Sequence, residues 1–107
     1  MKLITKEIEK KIAKSPIYSK DGQGENAEVI VKFFYPYGVG TWLVVEGEKQ
    51  ENGDYEFFGY VDMGYGYEAG YFMLSQLEEI ARHNRYGLGV ERDIYAHGTV
   101  KELMKAG

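Results

Sequence analysis

The sequence has no cysteine, only two prolines, two histidines and one tryptophan. Without cysteine there is no disulfide, no thiolate nucleophile and no sulfur ligand for a metal. His83 and His97 lie far apart with no further ligand pattern around them, so a zinc site of three or four ligands is not expected. No apolar run approaches the roughly 20 residues that a membrane-spanning helix needs. Met1 to Lys14 mixes Lys and Glu with single Ile residues, unlike the continuous apolar stretch of a signal peptide. These absences lead to the expectation of a cytoplasmic protein with no cofactor, no metal and no membrane partner.

What is present fits one globular domain spanning 1–107. Apolar residues make up 44% and charged residues 28%, enough of the first to build a core. The net charge of −4 is unevenly spread. Residues 1–20 carry six Lys against two Glu, and 81–107 carry five bases against three acids. Between them, residues 21–80 hold twelve acids against Lys32 and Lys49, a net −10. Thirteen of the sixteen aromatics fall in that same block, from Phe33 to Phe72. An acidic, tyrosine-rich centre speaks against direct nucleic-acid binding, because phosphate contacts need Lys and Arg. It suits a basic surface on another protein.

Periodicity gives an α+β order of helix, three strands, helix, strand, helix. Ile4, Ile8 and Ile12 form one helical stripe, Thr5 is a suitable N-cap, and Ser15-Pro16 ends the helix. Residues 28–35, 41–48 and 55–62 read as strands of an antiparallel meander, with Val29, Val31, Phe33 and Tyr35 on one face. Asn52-Gly53 predicts a type I′ hairpin turn. Residues 63–69 read as a glycine-rich loop, and 70–74 run from it into Ser75, which opens a helix. Ser75-Gln76-Leu77-Glu78 and Thr99-Val100-Lys101-Glu102 both fit the capping box, in which a hydroxyl and a carboxylate satisfy reciprocal backbone donors. Residues 90–95 read as a fourth strand. Aromatics on both faces of the strands predict a sheet covered on both sides.

No motif carries catalysis. Gly-x-Gly occurs at Gly22/Gly24, Gly38/Gly40, Gly64/Gly66 and Gly87/Gly89, but none opens a helix as a phosphate loop must. Turns explain them. Asp62, Glu68, Glu91 and Asp93 flank the loops and last strand, and are the carboxylates from which an acid–base pair would be drawn. Arg92, between two of them, points the opposite way and is expected to reach a carboxylate elsewhere. The strongest feature is the aromatic group Tyr35, Tyr37, Trp42, Tyr65, Tyr67 and Tyr71, joined by Glu68. Tyrosine offers rigid contact area with a polar end, which suits interfaces. These seven are the candidate partner-binding residues.

KLITKEIEKKI, IYSKDGQGENAEVIVKFF, FFGYVD, EAGYFMLSQLEEI and LGVERDIY together span nearly the whole chain. They resemble a family of small proteins of unknown function carried on bacterial plasmids, conjugative elements and phages. Thr5 departs from the proline often found there in the family. The resemblance carries no catalytic residue. It implies an accessory role on a mobile element, with a host protein as partner: a defence nuclease, countered as anti-CRISPR or antirestriction proteins do. Two other readings stand beside it, an enzyme using the clustered carboxylates on a small molecule or nucleotide, and a structural homo-oligomer. A monomer and a homodimer are both compatible with the sequence.

Overall fold

The computed structural model describes residues 2–105. Helix α1, Lys6–Ala13, begins where Thr5 Oγ1 accepts the Ile8 N–H at 3.2 Å, and its buried Ile8 and Ile12 continue the stripe from Ile4. Strands β1 (Val31–Phe34), β2 (Thr41–Lys49), β3 (Tyr55–Asp62) and β4 (Tyr67–Met73) form the antiparallel meander. Helix α2, Leu74–His83, carries the chain back across the sheet to β5, Glu91–Arg92, which pairs with β1. The order across the sheet is β4-β3-β2-β1-β5. Helix α3, Val100–Lys105, closes the chain.

The radius of gyration of 13.1 Å matches the roughly 13 Å of a single 100-residue domain. One face of the sheet is sealed by α1 and α2 over Val31, Phe33, Trp42, Val44, Phe57 and Phe72, with Leu77 of α2 among the most buried. The other face holds a smaller cluster: Leu43 and Val45 under Val100 and Leu103 of α3, with Ala27 from the 3-10 turn at Gly24–Asn26. Both faces are therefore covered, the second only in part.

Several local expectations are corrected. Asn52-Gly53 does form a hairpin, but Gly53 alone has positive φ (+88°). Gln50 accepts from Gly53 N–H and donates to Asp54 O, a three-residue loop with a left-handed glycine in its last position rather than a type I′ turn. Ser75 is not the cap of α2. The helix starts one residue earlier, the Met73 N–H donates to Gln76 Oε1 at 2.7 Å, and the Ser75 hydroxyl donates to Asp54 Oδ2 at 2.6 Å. Thr99 and Glu102 do form their capping box. Strand β4 takes in Tyr67, Glu68 and Ala69, read from the sequence as loop, because the connection after Asp62 is tighter than its glycines suggest. The last strand is two residues rather than six. Val29 belongs to the α3 side, away from Val31 and Phe33, because the chain turns at Ile30 before β1 begins.

Candidate functional site

The turn between β3 and β4 is built around one carboxylate. Asp62 Oδ1 accepts the N–H groups of Gly64 (2.7 Å) and Gly66 (3.1 Å), both glycines in the left-handed region at φ +104° and +98°. This curls the chain and leaves Tyr65 at the tip, 94% exposed. The neighbouring β1–β2 turn lies against it: a Cβ on Gly64 would stand 3.2 Å from Val39. Tyr37, Val39, Met63 and Tyr65 are all exposed at this end of the sheet. Tyr67 turns to the α3 side and is partly buried against the Leu43 cluster. Burial pushes its phenol pKa up, the Asp62 charge adds to this, and a hydrogen bond with Thr41 opposes it. Glu68 is exposed on β4, opposite Val61.

The remaining candidates separate. Tyr35 accepts from Asn84 Nδ2 at 2.7 Å and meets Tyr37 edge-on, with ring centroids 6.0 Å apart. Trp42 is core, not contact surface: it is 5% exposed, on a central strand beneath the helices. Its ring lies so close to Gly40, at φ +147°, that a Cβ there would stand 2.5 Å from it. Tyr71 sits on the α3-side face of β4, 53% exposed. So Tyr65, Glu68 and Tyr71 share the β4 side of the molecule, while Tyr35 and Tyr37 lie toward β5.

The four carboxylates do not converge either. Asp62 pairs with Thr41, Thr41 with Phe34, and Phe34 with Glu91, so three inter-strand steps separate them. That is about 14 Å. Asp62 is engaged in its turn, and Asp93 forms an ion pair with Lys32 at 3.6 Å. Arg92 donates to the backbone carbonyls of Lys2 and Leu3. A groove of about 560 Å³ lies between Ile4, Glu9, Leu77 and Val90, and of the four candidate acids Glu91 alone lines it. Among the described residues no group of three His, Asp or Glu side chains is placed to hold a metal, and no helix is long and apolar enough to cross a membrane.

A second constellation escaped the sequence reading. The ladder of β2 and β3 shifts between Val44 and Glu46, a bulge that places Glu46 opposite Phe58 on the α3-side face. Glu46 is 3% exposed, and its two oxygens accept the N–H groups of Tyr18 (2.9 Å) and Lys20 (2.6 Å). This clamp holds the segment after Pro16 against the sheet. Tyr18 is thereby fixed at φ +74°, the one non-glycine residue with positive φ among those described, and its ring stands 70% exposed. Its hydroxyl is near enough to that of Tyr71 to help raise the Tyr71 phenol pKa. Phe58 packs on Tyr71 with centroids 5.1 Å apart, and on Tyr60 at 6.3 Å. These rings bound a hollow of about 400 Å³. The signal was there: Glu46 interrupts the apolar run Trp42-Leu43-Val44-Val45, and a buried acid requires partners.

Fold and site together define a small α+β protein with an antiparallel sheet, one sealed face and one open, aromatic, acidic flank. The chain belongs to the family described as "Protein of unknown function (DUF2958)", whose match covers residues 3–104. Neither the curated proteins nor the solved structures include a match to it.

Proposed function

We propose that this protein is a non-enzymatic binding protein that acts by covering a basic surface on another protein. One observation carries the reading: Tyr65 in the turn before β4, and Glu68 and Tyr71 on the two faces of that strand, all stand exposed along this edge of the sheet, in the most acidic part of the chain. Rigid, amphipathic tyrosines flanked by acids match the anchors of protein interfaces, with charge complementarity speeding encounter. The resemblance to element-borne proteins directs the proposal further, to a host defence nuclease whose basic nucleic-acid face would be occupied. The net charge of −4 is too small for wholesale imitation of DNA.

Affinity capture from host lysate tests this against a Tyr65→Ala/Glu68→Lys variant, both sites being on the surface. The wild type retains a nucleic-acid enzyme, the variant does not, and association of the purified pair slows as salt rises. A partner held equally by both, or association indifferent to salt, would overturn the proposal.

A second reading is favoured by β4 itself. It is an edge strand of seven residues without Lys, Pro or bulge, and among the described residues no backbone–backbone hydrogen bond reaches its outer side. Such an edge is a template for pairing with a second copy. Light scattering after size exclusion distinguishes the two: a dimer broken by Ala69→Pro supports self-pairing, and a monomer at all concentrations ends it.

A further inference from the structure

We infer that the hollow bounded by Tyr18, Phe58, Tyr60 and Tyr71 is the seat for one arginine side chain of a basic protein partner. This inference rests on the binding reading above and names the contact within it. Three independent features support it.

The first is shape and lining. The rings enclose about 400 Å³ on the part of the sheet face beside α3, and Tyr18 and Tyr71 remain largely open to solvent. An aromatic hollow of this kind offers ring faces to a flat cation, and guanidinium stacks on aromatic faces better than a compact, strongly hydrated ammonium.

The second is charge. Glu46 lies in the wall, Asp21 lines the rim, and Glu56 and Glu25 act on Tyr71 and Tyr60 respectively. The nearby Tyr18 hydroxyl, then burial and the charges of Glu46 and Glu56, hold the Tyr71 phenol above its ordinary pKa. Each Glu46 oxygen takes one backbone N–H and keeps acceptor capacity. Lys20 also lines the hollow; its Nζ donates to the Glu28 carbonyl at 2.9 Å while the charges of Glu28 and Glu46 act on it.

The third is the backbone. A bulky aromatic residue at φ +74° is a conformational outlier, and such outliers concentrate where a structure holds a group for contact. Here the buried Glu46 clamp holds Tyr18 in place while its ring gains little burial. A residue serving only the fold would be glycine at this position, as it is at Gly22, Gly24 and Gly53.

The test needs no partner. The full chain is titrated with Nα-acetyl-arginine methylamide and followed by NMR. Saturable shifts are expected at the rings of Tyr18, Phe58 and Tyr71 and at the Lys20 amide. The lysine analogue should bind at least threefold more weakly, and the uncharged citrulline analogue should give no saturable shift. Tyr18→Gly and Tyr71→Ala should each weaken arginine binding at least fivefold while the spectrum remains that of the folded protein. Absence of saturable shifts, citrulline or lysine matching arginine, or normal binding by both variants would each overturn the assignment. The two proposals fail separately. Arginine binding with no partner captured leaves the hollow standing and sinks the nuclease-covering reading. A captured partner held equally well after Tyr71→Ala sinks the hollow alone.

Discussion

On one face of the sheet Phe33, Trp42, Phe57 and Phe72 are sealed beneath α1 and α2; on the other, Phe58, Tyr60 and Tyr71 lie beside α3 rather than under it. The strands supply aromatics to both faces almost evenly, so composition does not set the difference. The helices do. α1 and α2 each present an apolar stripe to the first face, whereas α3 is only six residues and reaches little beyond Leu43 and Val45. The lesson is that a tyrosine's role is fixed by what lies across from it. On the open side one further ring, that of Tyr18, is set in place by a polar device, the Glu46 clamp, where the covered rings are held by packing.

Four changes probe this contrast, beginning with the largest effect. Phe57→Ala, at the centre of the sealed face, should cost about 3–5 kcal/mol by opening a cavity among Phe33, Tyr55 and Phe72. Urea unfolding reads this as a fall in midpoint with unchanged slope. On the open side, Glu46→Ala should cost about 1–3 kcal/mol, because two backbone donors lose their acceptor. Hydrogen exchange at the Tyr18 and Lys20 amides should accelerate in that variant while amides of β3 stay protected. Thr5→Ala removes the α1 cap and should cost about 1 kcal/mol, felt on the sealed face only.

The smallest effect is pH-dependent. Burial works to raise the Asp54 pKa, but hydrogen bonds from the Ser75 hydroxyl and from the Tyr55 and Ser75 N–H groups outweigh it and leave the carboxyl below its ordinary value. A lowered folded-state pKa means stabilisation that is present above the unfolded value and lost as pH falls through the folded one. An NMR titration of the Asp54 carboxyl should therefore show a midpoint below that of an unfolded aspartate, with the α2 start loosening as it protonates. Asp54→Asn should weaken that acid dependence.

Much of the fold was legible. Thr5 with its Ile4-Ile8-Ile12 stripe, the meander of three strands, and the Thr99–Glu102 box all follow from local chemistry, and each stands as expected. What was not legible depends on partners distant in sequence. Ser75 reads as a cap until Asp54, from the facing hairpin, takes its hydroxyl. Trp42 reads as a contact residue until β2 proves central. Tyr18 and Glu46, 28 positions apart, give no local sign that one clamps the other. Of the candidate surface, Tyr65 and Tyr71 were found by composition, while Phe58, Tyr60 and Tyr18 needed the register of the sheet.

The contrast between faces is sharpest in two adjacent residues of β4. Tyr71 points to the open side and Phe72 to the sealed one. Parallel urea unfolding of Tyr71→Ala and Phe72→Ala should give a loss of about 0.5–1.5 kcal/mol for the first, which loses its contact with Phe58, and about 3–5 kcal/mol for the second. Equal losses would contradict the account, because Tyr71 would then be serving the core and not the surface.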